Sequence, residues 1–369
     1  MAASVPSSIF DGLTSTARPE VRVRTSSGWD DGGAAFGSDV RALAAAMIGY
    51  GLAPAGRVAV LGQAGADALR AELAVLVAGG CLVSPDPALG ERGLAHALAA
   101  SEVVQAIACD ERHLAFLLAL RPELPSLELI LLMRAQPSER RPAALLVSSA
   151  VAAGHAHLER EPEMLRAALA SAKPSDPAVL YWRVAGASEA LSRSGLATLT
   201  ERIVSAVEPG RGRPVLVAVE AGSPVRLAAA VAIGDRDGSL LLADALERPD
   251  TGLDERPVRS ALLSTHALSR LAQAWQDDIA RRGWPSRAVA RWSLRQQGDG
   301  WKRRLAELLT LRTLRSRLGN EIGHLDVVRQ KPARLDPSTD SFFEVVGLPV
   351  RELAGDVPLL PGPAIAPSA

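Results

Sequence analysis

The side chains that could do chemistry are few and poorly grouped. His155 and His157 are the only histidines of the six that lie close together. In a strand both would face one side and could share a metal, but a zinc-type site takes three or four protein ligands and no third sits nearby. They are expected in a loop. Cys81 and Cys109 both sit in apolar runs and read as buried free thiols, not a disulfide or metal pair. No serine occupies a Gly-x-Ser-x-Gly elbow, so a hydrolase triad has no support. Pro209–Pro214 (PGRGRP) resembles a phosphate nest only superficially and reads as a surface turn. The run Trp301–Leu318 sets Leu305, Leu308, Leu309, Leu311, Leu314 and Leu318 against Lys302, Arg303, Arg304, Arg312, Arg315 and Arg317. A basic amphipathic helix of that kind can lie on an anionic membrane, and a leucine-rich stripe can equally face a core. Core packing is the expectation here, as it is for Trp275, Trp284, Trp292 and Trp301.

The elements that must position such groups follow from periodicity. The chain has 369 residues, 48% of them hydrophobic, which is enough to build a large core. Lys plus Arg is 41 and Asp plus Glu is 41, so no global field exists to hold nucleic acid, and none is expected as a partner. The N-terminus lacks a basic start followed by an apolar core, and no apolar run reaches the ~18 residues of a membrane span. A cytoplasmic protein is expected, with only a weak case for peripheral membrane contact. Residues 1–37 read as irregular apart from a short strand at Val21–Arg24. A helix follows with Ser38 as its N-cap, carrying Val40, Leu43, Ala44, Met47 and Ile48 on one stripe. Arg57–Leu61, Cys81–Ser84, Val103–Ala108 and Leu127–Met133 then read as strands, separated by helices at Asp67–Ala78, Glu91–Ala100 and Arg112–Leu120. That alternation predicts parallel βαβ units, because a parallel strand needs a crossover. A polar stretch, Ala135–Pro142, divides a first α/β subdomain (38–134) from a second (143–356). In the second, strands are expected at Ala143–Ser148, Ala178–Trp182, Pro214–Val219, Ser239–Leu242, Val258–Leu263 and Leu348–Arg351. Helices are expected at Met164–Ala172, Leu196–Val207, His266–Arg281, Trp301–Leu318 and Ser338–Val345. Residues 357–369 form a proline-rich tail, extended or disordered. The fold class is α/β: two subdomains with mostly parallel sheets flanked by helices.

Three stretches in order carry a family resemblance. Gly37–Asp86 holds a helix, a turn and strand with Gly51, Pro54, Gly56, Arg57 and Val58, and a helix ending in Ala-Gly-Gly. Val258–Arg281 holds a strand, the turn Ser264-Thr265-His266 and a long helix. Arg315–Gly355 holds a helix, Leu-Gly, a strand, a further helix and Gly347-Leu348-Pro349-Val350. Together these resemble the N-terminal part of the adenylate-forming, AMP-binding superfamily, and within it the long-chain acyl-CoA synthetases. The chain ends before the family's C-terminal domain would begin, and it is read as a degenerate member lacking that domain.

The resemblance implies a nucleotide site whose parts can be checked one by one. Adenylation joins a carboxylate to the α-phosphate of ATP, so crowded negative charge must be gripped by N–H groups, hydroxyls, a cation and Mg²⁺. The family does part of this with a Ser/Thr/Gly-rich loop ending in Pro-Lys-Gly, after a strand that here reads Asp176-Pro177-Ala178-Val179-Leu180-Tyr181. The stretch that follows is shorter and keeps one glycine, Gly186, and one serine, Ser188, before the likeness resumes at Leu191-Ser192-Arg193. No lysine is present, Glu189 adds a charge that repels phosphate, and the bulky Trp182 and Val184 stand where backbone would have to approach the ligand. The adenine-side loop corresponds to Lys331-Pro332-Ala333-Arg334-Leu335, and only Gly355 survives of the motif whose Tyr stacks on adenine and whose Glu holds Mg²⁺. Tyr181, Gly186, Ser188, Arg193, Lys331, Arg334, Leu335 and Gly355 are thus vestigial positions, with no catalytic residue, no metal ligand and no cofactor expected. The expected function is a non-catalytic homologue that binds a protein partner or an acyl ligand. The alternative is residual fatty acyl-CoA ligase or acyl-adenylating activity with ATP and Mg²⁺, completed by a second chain.

Overall fold

Alternation along each strand decides what its two faces cover. In Pro214–Val219, Val215, Val217 and Val219 enter one buried cluster while Leu216 and Ala218 enter another, as the two-residue repeat of an extended chain requires. The computed structural model describes residues 20–25, 28–31, 35–62, 65–86, 89–133, 144–182, 188–207, 214–219, 223–234, 239–244, 258–281, 283–295, 301–306, 311–312, 314, 317–318, 322–328, 336–353 and 360–361.

Strands β1 (Glu20–Thr25) and β2 (Gly28–Asp31) precede helix α1 (Phe36–Gly49). Three strand–helix units follow: β3 (Arg57–Leu61) with α2 (Ala66–Val77), β4 (Cys81–Pro85) with α3 (Glu91–Ala100), and β5 (Gln105–Ala108) with α4 (Glu111–Leu120). Next come β6 (Leu129–Leu132), β7 (Leu145–Leu146), α5 (Val147–Arg160) and α6 (Met164–Ser171). The hairpin β8 (Pro177–Trp182) and β9 (Ser188–Ser192) leads into α7 (Arg193–Val207), β10 (Pro214–Val219), α8 (Pro224–Gly234), β11 (Ser239–Asp244) and β12 (Ser260–Ser264). Helices α9 (Thr265–Ala280), α10 (Trp284–Ser293) and α11 (Trp301–Ala306) precede β13 (Leu325–Val328), α12 (Pro337–Val346), β14 (Val350–Glu352) and β15 (Leu360–Pro361).

Two sheets result. One has the order β14-β13-β12-β10-β11-β1-β2, the other β15-β9-β8-β4-β3-β5-β6-β7. Pairing is parallel except for β1–β2, β8–β9 and β9–β15. Between the sheets lies the largest buried cluster, built from α1, α2, α7 and α8 against Val215 and Leu240 of one sheet and Val58 and Val179 of the other. The outer face of the first sheet is covered by α9 and α12, where Trp275, Phe342 and Phe343 pack ring against ring at 5.3–6.4 Å between centroids. That of the second is covered by α3 and α4. The result is five layers, helix–sheet–helix–sheet–helix. This is the mixed α/β class that strand–helix alternation predicts, with mostly parallel sheets flanked by helices.

Sheet membership divides the chain differently from sequence order. Strand β8, expected in the second subdomain, lies beside β4 with β9 on its other side, while β1 lies beside β11 in the other sheet. Pairing is set by which strand edges are open, and a long crossover leaves neighbours in sequence free to part. Residues 1–37 therefore contribute two strands and the start of α1. Ser38 is not the N-cap: the helix begins at Phe36, and the Ser38 hydroxyl donates back to the Ala35 carbonyl at 3.0 Å. Besides β2 and β15, the unexpected elements are β9, α5, α8 and α10. Helix α8 escapes a periodicity reading because it is buried on every described side between the sheets, which erases the amphipathic stripe. Part of the tail is also ordered into the sheet, since Leu360 and Pro361 pair with Ala190 and Glu189. The connection Ala135–Pro142 and the turn Pro209–Arg213 lie outside the described residues. No described helix is long and apolar enough to cross a membrane.

Candidate functional site

The hairpin β8–β9 is where the sequence places its phosphate-facing loop. Its register pairs Tyr181 with Glu189 and Trp182 with Ser188, so residues 183–187 alone connect the strands. On its other side β8 pairs with β4, with Ser84 beside Tyr181 and Pro85 beside Trp182. The connection thus leaves from the carboxyl ends of parallel strands, the edge at which α/β sheets bind ligands.

The two aromatic residues before it face opposite ways. Tyr181 enters the inter-sheet core and is 3% exposed. Trp182 enters the outer cluster, where its indole N–H donates to the Ser101 hydroxyl at 2.8 Å and its ring meets His96 edge-on at 5.7 Å. The bulk of Trp182 is therefore turned into the core. Directly opposed residues of an antiparallel pair share a face, so half-buried Glu189 stands on the face of Tyr181 and Ser188 on that of Trp182.

Arg193 is not part of this loop. It begins α7 at the far end of β9, about 17 Å along the strand from Ser188 at ~3.4 Å per residue. Its side chain is 4% exposed, and its Nη2 donates to the Gly80 carbonyl at 2.8 Å while its own N–H donates to the Asp176 carbonyl. Burial lowers its pKa from the ordinary guanidinium value, with Cys81 and Asp176 acting in the opposite sense. It ties the base of the hairpin to the turn before β4. The structure thus moves Arg193 from the list of phosphate-side positions to that of structural ones.

On the other sheet, β12 and β13 run parallel to their carboxyl ends, where Ser264 caps α9 by accepting from the Ala267 N–H at 3.1 Å. Buried Thr265 donates to the Val328 carbonyl at 3.5 Å, joining the two strand ends. The stretch expected to face adenine starts just beyond Val328. Gly186, Lys331, Arg334, Leu335 and Gly355 lie outside the described residues. Of the eight positions expected to be vestigial, the structure brings Tyr181 and Ser188 to one hairpin and sets Arg193 apart.

The remaining candidates find ordinary places. His155 and His157 are on helix α5 and not in a loop. Two positions apart on a helix they diverge by about 200° and cannot share a metal. Among the described residues no three His, Cys, Asp or Glu side chains are grouped to hold a metal ion. Neither cysteine is in a disulfide; Cys81 is buried and Cys109 half-buried, and burial chiefly pushes the Cys81 thiol up to about 12. One cluster had no signal in the sequence: buried Asp326, with His324 Nε2 at 3.3 Å, and Arg351, whose Nη1 lies 3.4 Å from the same nitrogen. Burial raises the Asp326 pKa against the pull of His324 and Arg351. It sits toward the amino end of β13, away from the ligand edge. In the run expected as one helix over Trp301–Leu318, Leu311, Leu314 and Leu318 are buried as expected, but Trp301 and Leu305 are exposed.

Residues 34–182 match the family model of the AMP-binding enzymes. No curated relative matches the chain. Among solved structures, coronafacic acid ligase from Pectobacterium brasiliense is similar over 95% of this chain and 60% of its own, with a TM-score of 0.65 and 11% identity. The A domain of the carboxylic acid reductase from Segniliparus rugosus, solved with AMP and a co-purified carboxylic acid, is similar over 95% and 60%, with a TM-score of 0.61 and 12% identity. The amide bond synthetase McbA from Marinactinospora thermotolerans is similar over 94% and 59%, with a TM-score of 0.60 and 16% identity. The chain thus spans about three fifths of the length of these structures. It has the adenylate-forming fold, and its N-terminal region carries that superfamily's sequence likeness.

Proposed function

We propose that this chain is a degenerate homologue of the acyl-CoA synthetases that does not catalyse adenylation and acts by binding a partner or an acyl ligand. One observation carries the reading. The pairing of Trp182 with Ser188 leaves only Arg183-Val184-Ala185-Gly186-Ala187 between the strands, with a single glycine, a single cation in Arg183, no hydroxyl and no lysine, and the carboxylate Glu189 comes directly after Ser188. The family match also ends at Trp182, the last residue of β8. A triphosphate needs several converging N–H groups and a cation to offset its charge, and a carboxylate beside the loop opposes it. Arg193, the nearest downstream cation, is occupied at the other end of β9. Each missing electrostatic contact of this kind costs on the order of 10²–10³ in rate, and several are missing together. No cofactor is part of this proposal.

The adenylating alternative draws on the similarity to a domain that binds AMP and a carboxylic acid. Hydroxamate capture of acyl-adenylate separates the two. Purified protein with ATP, Mg²⁺ and a panel of fatty acids is expected to give no hydroxamate above a heat-killed control. Product that depends on ATP would establish the ligase reading instead.

A further inference from the structure

The described chain exposes five large hydrophobic side chains beyond the ordinary, and four of them fall within Trp284–Leu305. Trp284 is 73% exposed and Trp301 70%, with Val289 and Leu305 less so. They stand on α10 and α11, which pack against each other on the outer side of the first sheet. The inward sides of these helices are accounted for: Ala290 and Ser293 of α10 and Ala306 of α11 are buried. The outward sides hold the tryptophans among cations. Neither helix contains an Asp or Glu, whereas Arg291, Lys302 and Arg304 are exposed and Arg287 is half-exposed. The Lys302 ammonium lies 5.9 Å from the Trp301 ring centre. Residues 281–318 carry eleven Lys or Arg against two Asp or Glu in a chain whose overall charge is zero.

We propose that this face docks on an anionic lipid membrane. Indole rings seat at the headgroup level of a bilayer, where an apolar body meets an N–H that must stay hydrated, and flanking Lys and Arg meet acidic headgroups. The arrangement here supplies both on two helices packed against each other. A protein partner fits less well, because protein interfaces concentrate aromatic residues in a core from which lysine is depleted. The surface needs no spanning helix, in keeping with the described helices. This inference is independent of whether nucleotide binds between the strand ends, since α10 and α11 take no part in the β8–β9 hairpin.

The test is co-sedimentation of the full chain with phosphatidylcholine vesicles, with and without phosphatidylserine, at low and raised salt. Binding is expected only with phosphatidylserine, weakening as salt screens the cations. The double variant Trp284→Ala/Trp301→Ala is expected to lower the bound fraction about tenfold through lost ring insertion. Arg291→Glu/Lys302→Glu is expected to abolish the phosphatidylserine dependence. Arg112→Glu, on exposed α4 over the other sheet, should bind as the parent does. Circular dichroism on each variant confirms folding, which substitutions at exposed positions leave intact. Failure to sediment with phosphatidylserine vesicles overturns the proposal. Binding that survives both double variants overturns it too, as does capture of a soluble acidic protein in place of lipid.

Discussion

Arg193 shows how a residue type can suggest one chemistry and its surroundings another. A cation a few residues after the β8–β9 connection invites a role in gripping anions. Its guanidinium instead reaches back 113 residues to hold the Gly80 carbonyl, in a place from which water is excluded. Arg193→Ala is expected to destabilise the fold by about 2–3 kcal/mol, because a buried carbonyl loses its donor and a cavity opens. Denaturant unfolding of parent and variant checks this, and a loss below about 0.5 kcal/mol would place the side chain among dispensable surface groups. At this scale the sequence was partly legible. It placed a strand ending at Tyr181 and Trp182, and it flagged the carboxylate at Glu189. It could not show that Tyr181 and Trp182 are both core residues on opposite faces, because that depends on β9 supplying the other half of a ladder. Nor could it bring Asp326, His324 and Arg351 together, since the last comes from a neighbouring strand whose register only the fold establishes.

Elements were legible where an apolar run or stripe is bounded by turn residues, and illegible where a helix is buried all round or built of small residues. Strands β3 and β10 and helix α3 coincide with their predicted limits because clear apolar runs or stripes end at turn residues. Helix α5 was missed: its sequence, Val-Ser-Ser-Ala-Val-Ala-Ala-Gly-His-Ala-His-Leu-Glu-Arg, is built of small residues with a glycine inside. The structure explains that glycine. A Cβ on Gly154 would lie 1.7 Å from the Ala42 carbonyl oxygen of α1, so the helices touch through the absence of a side chain. Gly154→Ala should therefore cost at least about 2 kcal/mol by forcing α5 off α1, although alanine is the better helix former in isolation. Thermal or denaturant unfolding reads the outcome. A variant as stable as the parent would mean that α5 does not pack on α1 in this way.

At the scale of the whole molecule, two sheets alternate with three helical layers, and β8 and β4 of the second sheet run side by side to their carboxyl ends. The similarity to adenylate-forming structures extends over nearly all of this chain and rests on that frame, while identity stays between 11% and 16%. A frame of this size is held by its buried clusters, and loops can change without disturbing it. Fold and site are therefore separate questions: the layers follow from patterning spread over hundreds of residues, whereas a phosphate grip needs a handful of particular side chains at one turn. The most direct measurement of the central claim is a calorimetric titration of the full chain with ATP and Mg²⁺. The account predicts no saturable heat, with any association weaker than about 1 mM. A micromolar, stoichiometric isotherm would contradict it.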